Sequence, residues 1–555
     1  MLKKECPKLA EEMGPWSEIW PQEICHSAGK LAGDLWKNQL GLRIRETGDK
    51  APDSRAWKMR PRDQAGLSFG PRIKLQGLHT GSSSRGLEGA AHPAKRSKSY
   101  TKIPSSMANL SSVSSQLSLD QFHHLFLSLL LLLQACSLVH LAVSMDSDTV
   151  EFLPGFHGPL PFHLETGYIG VGESEDIQLF YYFVKSERNP EKDPLLLWLN
   201  GGPGCSGWSG LVYQIGPLEY NQKLEQYSGS LLPSLVLNPD SWTKISSIIF
   251  IDSPVGTGFS YGRTPLASQS GDFKQVNHLL QFLRKWLINH PDFTSNPVYI
   301  NGDSYSGIPI PILAQQISNE NEAGVTPVIN LQGYTLGNPL TDIKSEDNSQ
   351  IPFAHSRALI SDELYKSLKK NCRGKYKNID PSNRKCLQDM QAYDKCVSGL
   401  NFFHILEPPC SKDSQVVEEV KTGARSLDEN CAPLCLEHEH WLSLYWANEP
   451  SVRRALGVRE GTKGKWQRCN FNVPYQKDVY NTVPYHFNLS TKGYRSLVYS
   501  GDQDMRVPFS ATQAWIRSLN FPIVDDWRPW IVDGHVGGYT RTYSNRMTFA
   551  TVKAR

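Results

Sequence analysis

Residues 298–311 read Val298-Tyr299-Ile300-Asn301-Gly302-Asp303-Ser304-Tyr305-Ser306-Gly307-Ile308-Pro309-Ile310-Pro311, and this stretch decides the fold. The short apolar run Val298-Tyr299-Ile300 predicts a buried strand. Pro309 and Pro311 suit the first turn of a helix, where a missing N–H costs nothing. Between strand and helix the chain must turn sharply, and such a turn lifts one side chain clear of the backbone. It also crowds the residues two before and two after that side chain. Around Ser304 these are Gly302 and Ser306, both small. The last position departs from G-x-S-x-G but keeps the size constraint. Alone the pattern could be a plain turn; after a strand, and with a glycine loop upstream, it marks Ser304 as a nucleophile.

Upstream, Pro194-Leu195-Leu196-Leu197-Trp198-Leu199-Asn200-Gly201-Gly202-Pro203-Gly204-Cys205-Ser206 is an apolar run ending in glycines. It predicts a buried parallel strand delivering a loop to the sheet's carboxyl edge. Ile248-Ile249-Phe250-Ile251-Asp252 reads the same way. Apolar positions 276, 279, 280, 282, 283, 286 and 287 then predict a helix. Strand, helix, strand implies an α/β doubly wound, mostly parallel sheet. A serine nucleophile needs a base to take its proton and donors aimed at the developing oxyanion. Tyr305 offers one backbone N–H, and the 200–204 loop can offer another because glycine lets the backbone approach a ligand. Farther on, Leu497-Val498-Tyr499-Ser500-Gly501-Asp502-Gln503-Asp504 predicts a strand ending in two acids. Either could orient a histidine, and the pattern alone does not choose between them.

Charge divides the 555 residues. Residues 1–106 carry 19 Lys/Arg against 11 Asp/Glu, whereas residues 145–555 carry 39 against 43. The body lacks the clustered basic excess that nucleic-acid binding requires, so no nucleic-acid partner is expected. Residues 1–106, without periodicity or motif, are expected to be a basic disordered extension. Residues 107–144 hold an apolar block, Leu125–Val143, ending in Ala142-Val143-Ser144; they predict a signal peptide read from Met107, or a membrane anchor if 125–143 is retained. Seven of the eight cysteines after the signal fall between 372 and 469, a density that suits an oxidising compartment. Paired C-x₂-C knuckles are missing, and no metal or cofactor is expected. Asn488-Leu489-Ser490 is a glycosylation sequon. The expected location is the secretory pathway, extracellular or vacuolar.

Four motifs in order, Trp-Leu-Asn-Gly-Gly-Pro-Gly-Cys-Ser (198–206), Gly-Asp-Ser-Tyr-Ser-Gly (302–307), Leu-Gly-Asn-Pro (336–339) and Ser-Gly-Asp-Gln-Asp (500–504), resemble the plant serine carboxypeptidase-like family of α/β-hydrolases. By that resemblance Ser304 is the nucleophile, Asp504 orients the histidine, and Gly202 and Tyr305 form the oxyanion hole. Asn200, Gly201 and Asp303 would bind substrate. The resemblance also implies disulfides Cys205–Cys469, Cys372–Cys386, and Cys410 with Cys431 or Cys435, leaving Cys396 odd. It implies a fold with core segments 145–355 and 461–555 and a disulfide-rich cap insertion at 356–460. Asp303 stands where the peptidases carry Glu, which points to the acyltransferase branch that moves acyl groups from glucose esters to acceptors. Asn200 keeps the peptidase-like residue, so release of C-terminal residues from peptides is the alternative. The partners are accordingly a small acyl donor and acceptor, or a peptide C-terminus.

One part of the pattern fails. Family members continue past the last core strand, here Met547–Val552, into Gly-Gly-Gly-His and a closing helix; this sequence reads Lys553-Ala554-Arg555. The expectation is a chain short of its catalytic histidine, with low or no activity and one face of the last strand uncovered. A non-catalytic truncated relative is the further alternative. Beyond Asp504 the remaining histidine is His535, in Asp533-Gly534-His535, where Asp-Gly favours a hairpin turn and an exposed position.

Overall fold

The computed structural model describes residues 147–221, 232–407, 436–532 and 534–553. The expected extension, the signal segment and Cys410, Cys431 and Cys435 lie outside the described residues.

A twelve-stranded sheet organises the chain. Eleven strands form its continuous path: β1 (Ser147–Thr149), β2 (Leu164–Val171), β3 (Ile177–Val184), β4 (Leu195–Leu199), β5 (Ser247–Ile251), β6 (Val298–Asp303), β7 (Leu331–Gly337), β8 (Arg495–Gly501), β9 (Ile523–Val532), β10 (His535–Tyr543) and β11 (Met547–Val552). Their spatial order is β1-β2-β3-β5-β4-β6-β7-β8-β11-β10-β9, and the short strand Tyr261–Gly262 pairs with β3 off this path. The six strands from β5 to β11 run parallel. Both flanks are antiparallel. The apolar runs explain the parallel centre: every residue of β4 and β5 is buried, as a strand covered on both faces must be.

Helix α1 (Asp272–Asn289) leads from β5 to β6 and α2 (Pro309–Glu322) from β6 to β7. Val276, Leu279, Phe282, Leu283 and Trp286 of α1 are 0% exposed and pack with Leu197, Ile249 and Ile300 on one face of the sheet. Trp198, Phe250 and Tyr182 look to the opposite face, where Trp208 stacks on Trp446 with ring centroids 4.2 Å apart. Because β5 follows β4 on one side of it and β6 lies on the other, the winding direction changes at β4. Ligands of open α/β sheets bind at the carboxyl ends of strands at such a reversal.

Between β7 and β8 the segment expected as one insertion has two parts. Helices α3 (Ile343–Ser356), α4 (Asp362–Cys372) and α5 (Arg384–Val397) form an apolar cluster of their own, with Leu368, Tyr393 and Met505. By contrast Leu442 and Trp446 of α6 (Leu436–Trp446), with Val452 of α7 (Pro450–Ala455), pack into the Trp198–Trp208 cluster on the sheet. Two more helices follow, α8 (Val483–Thr491) and α9 (Phe509–Ser518). Of the last strand, expected to have one face uncovered, one face is closed, Met547 and Phe549 of β11 being 0% and 1% exposed beneath Trp515 and Ile516 of α9, and the other is half-buried at Ala550 and Val552. Edge strand β9 carries open apolar side chains, Val524 being 71% exposed. The structure forms the disulfides Cys205–Cys469 and Cys372–Cys386, and Cys396 is free and exposed.

Candidate active site

Ser304 begins the turn after β6 with φ 54°, a left-handed conformation rare for a serine and tolerated only where the surroundings fix it. The size constraint is visible on both sides. A Cβ on Gly302 would collide with the Leu199 carbonyl oxygen. Ser306 is buried, and its hydroxyl donates to that same Leu199 oxygen at 3.0 Å, tying the turn to the end of β4. A hydroxyl therefore does at 306 what glycine could not.

The glycine loop after β4 lies against this turn. A Cβ on Gly201 would stand 2.7 Å from Ser304 Cβ and 2.9 Å from the Tyr305 nitrogen, so only glycine admits the contact. Gly202 has φ 118°. Three ties hold the loop from behind: the Cys205–Cys469 disulfide, the Ser206 N–H on the Arg468 carbonyl at 2.7 Å, and the Asn470 N–H on the Gly204 carbonyl at 2.8 Å. Asp252, at the end of β5 and fully buried, accepts the Ser206 hydroxyl (2.6 Å) and the Gly207 (2.8 Å) and Phe259 (2.7 Å) N–H groups. Burial still pushes its carboxyl up to about 6 against those bonds.

Asp303, half-buried, is engaged in a polar knot. Its Oδ1 accepts the Gly201 N–H at 3.1 Å and Asn200 Nδ2 at 3.3 Å, and its Oδ2 accepts Gln214 Nε2 at 3.3 Å. Gln214 Oε1 accepts Asn200 Nδ2 at 2.8 Å and Trp198 Nε1 at 3.2 Å, while Asn200 Oδ1 accepts the Gly210 N–H. Burial raises the Asp303 carboxyl to about 6, with these donors and the Arg468 charge opposing. Gln214 was not foreseen in the sequence; only the fold carries it back to Asn200 from 14 residues away.

Strand β7 separates the elbow from the two acids. Asp303 pairs in register with Gly337, which pairs with Tyr499 of β8, so the turn after β8 opens at the same carboxyl edge. The structure separates the acids by their partners. Asp502 faces cations: Lys553 Nζ lies 2.7 Å from its Oδ2, and Arg357 is also paired to it. Asp504 Oδ1 accepts the backbone N–H groups of Arg506 at 2.6 Å and Val507 at 3.0 Å, and burial pushes its carboxyl up to about 7 against these bonds, the Arg506 charge and the Asn338 side chain. Asn338, from the third motif and in the left-handed region at φ 41°, accepts the Gly501 N–H on Oδ1 (3.0 Å) and donates its own N–H to the Tyr499 carbonyl. It staples β7 to the turn that carries Asp504.

Among the described residues, neither Ser304 nor Asp504 is hydrogen-bonded to a histidine. His535 is exposed at the two-residue β9–β10 turn, pairing with Val532. Lys553 follows β11 at the same edge, its N–H on the Gly537 carbonyl. Asn488 is exposed on α8, while Ser490 of its sequon is buried. Among the described residues no group of His, Cys, Asp or Glu could hold a metal ion, and no helix is long and apolar enough to cross a membrane.

A parallel sheet with a reversal of winding at β4, a strained serine on the turn beyond β6 and an acid after β8 define an α/β-hydrolase. The chain belongs to the serine carboxypeptidase family, whose sequence model matches residues 154–554. Among curated relatives from Arabidopsis thaliana, serine carboxypeptidase-like 17 is 56% identical over 411 residues, 74% of this chain and 88% of the relative. Serine carboxypeptidase-like 12 is 54% identical over 412 residues, 74% of this chain and 90% of the relative. The crystal structure of Kex1(delta)p, a prohormone-processing carboxypeptidase from Saccharomyces cerevisiae, superposes with a TM-score of 0.56 at 20% identity, covering 71% of this chain and 86% of that one, and shares the fold.

Proposed function

We propose that the site transfers acyl groups through an ester on Ser304, taking the acyl group from a glucose ester and giving it to an acceptor hydroxyl or amine. Ser304 Oγ attacks the ester carbonyl, its proton passing to a base. The tetrahedral oxyanion takes the Gly202 and Tyr305 N–H groups, and glucose leaves with a proton. The acceptor then reverses the sequence.

The observation that favours a sugar leaving group over a peptide C-terminus is the Asp303–Asn200–Gln214 knot. A pocket for a substrate carboxylate needs donors aimed at it. Here the Asn200 amide and both Asp303 oxygens are already engaged with one another and with Gln214. Above about pH 6 the Asp303 charge would also repel a second carboxylate.

Asp504 is the orienting acid in this reading, since Asp502 is committed to Lys553 and Arg357. Among the described residues no histidine is hydrogen-bonded to Asp504, so the test supplies imidazole as a base in solution. Imidazole in solution should fit beside Asp504 and raise the rate. The secretory pathway suits the two disulfides, and the exposed Asn488 suits glycosylation.

The test offers an aromatic acyl glucose ester with an amino or hydroxy acceptor, and separately an N-blocked dipeptide, with imidazole present. Mass spectrometry should find the transferred ester or amide and an intact dipeptide. Release of the dipeptide's last residue without acyl transfer would replace this reading with the peptidase one.

A further inference from the structure

The Tyr305 N–H matters as an oxyanion donor only if residue 305 stays in place, and the molecule grips that residue by its far end. Its side chain is 4% exposed, and its phenol donates to Asp272 Oδ1 at 2.8 Å. Asp272, the first residue of α1, is 0% exposed. The same Oδ1 lies 2.8 Å from Tyr475 Oη, which also approaches Gln275 Oε1 at 2.7 Å. Its Oδ2 accepts the N–H groups of Asp478 at 2.6 Å and Val479 at 2.9 Å. Segment 475–479 in turn pairs with the strand just before α1, Tyr475 with Ser270 and Gln476 with Gly271, and Lys477 Nζ sits 5.4 Å from the Tyr305 ring centroid.

One buried carboxylate thus collects three segments: the elbow, the start of α1 and the 475–479 turn. Four donors fix its torsions, and charge-assisted hydrogen bonds to a buried acceptor are short and strong. Burial first, and the Asp272 charge next, push the Tyr305 phenol well up, so it remains a donor. Nothing in the reaction drawn above uses Asp272. The Tyr475 ring, 6.0 Å away centroid to centroid, and Lys477 pack against the Tyr305 ring, while Asp272 holds its phenol by a hydrogen bond; the amide of residue 305 faces the Gly201 loop.

We propose that Asp272 is a positioning residue for the oxyanion hole, holding the Tyr305 phenol so that the Tyr305 N–H stays aimed at the carbonyl oxygen attacked by Ser304. The inference rests on the assignment of Ser304 as nucleophile.

The test measures labelling of Ser304 by a fluorophosphonate in the full chain, separating the maximal rate kinact from the half-saturating concentration KI. Removing an oxyanion donor outright costs ~10²–10³ in rate, and a displaced donor less, so Asp272→Asn is expected to lower kinact about tenfold with KI unchanged. Tyr305→Phe, which leaves Asp272 and its bonds to 475–479 in place, should do the same. The double variant should be no slower than the slower single one, because the Tyr305–Asp272 bond through which both act is the same. Single variants labelled at the unaltered rate, losses that multiply in the double variant, or a KI that rises alongside would overturn the proposal. If Asp272→Asn does not fold, Tyr305→Phe decides alone: a lower kinact supports it and an unchanged one overturns it. An unaltered protein that takes no label at Ser304 removes the nucleophile assignment and this inference together, whereas a labelled protein indifferent to both substitutions removes only this inference.

Discussion

Ser306 shows how one residue meets two demands at the elbow. It must be small because Gly302 and the Leu199 carbonyl leave no room, and it must donate because that carbonyl is buried. Ser306→Ala keeps the size and loses the donor, which should cost about 1–3 kcal/mol by stranding a buried acceptor. Ser306→Leu breaks the size limit and should prevent a native fold. Denaturant titration of both variants checks this; an Ala variant as stable as the parent would mean the Leu199 carbonyl finds another donor. The small-residue rule was legible in the sequence because it is local to five positions. The hydroxyl's partner was not, since Leu199 lies 107 residues away.

The same division holds among the elements. The apolar runs that became β4, β5, β6 and β8, and the periodic positions that became α1, were readable because burial on both faces or on one stripe writes itself into consecutive residues. The hairpin at Asp533-Gly534 was readable from turn chemistry, and Gly534 indeed has φ 77°. What the elements bring together was less readable. Gln214 and Asp272 sit in segments whose own pattern carries no chemical signal, and the pattern alone did not choose between Asp502 and Asp504; the resemblance singled out Asp504, and the structure adds that Lys553 and Arg357 pair with Asp502. Asn338 illustrates a motif whose reason is structural: it joins β7 to β8 in a left-handed conformation that Asn tolerates. Asn338→Gly keeps the conformation and loses the side-chain bonds, while Asn338→Ala loses both. Thermal melts should rank parent, then Gly, then Ala, with about 1–3 kcal/mol lost overall. An Ala variant more stable than the Gly variant would contradict the role of the left-handed backbone.

At the scale of the molecule, buried acids set a pH dependence. Glu346 in α3 is 3% exposed; its Oε1 accepts the Thr341 N–H at 2.5 Å, and its Oε2 is buried without a partner among the described residues. Burial pushes its carboxyl up to about 8, so the folded protein holds a proton that the unfolded chain releases near its ordinary value of 4.5. The folded state then binds more protons between those two values, and stability must fall as pH rises through that window. Asp252 and Asp303, both raised to about 6, act in the same direction up to that pH. Glu346→Gln should flatten the decline between pH 6 and 8, read as the pH profile of the melting temperature. A variant with the parent's slope would show that Glu346 is ionised in the fold.

The central claim is that this scaffold presents Ser304 as an acyl-transfer nucleophile. The most direct measurement is peptide mapping by mass spectrometry after exposure to a fluorophosphonate, with and without imidazole, on the unaltered chain and on Ser304→Ala. The account predicts one adduct, on the peptide carrying Ser304, faster with imidazole and missing from Ser304→Ala. Equal labelling of Ser304→Ala, or no adduct on Ser304 even with imidazole, would contradict it.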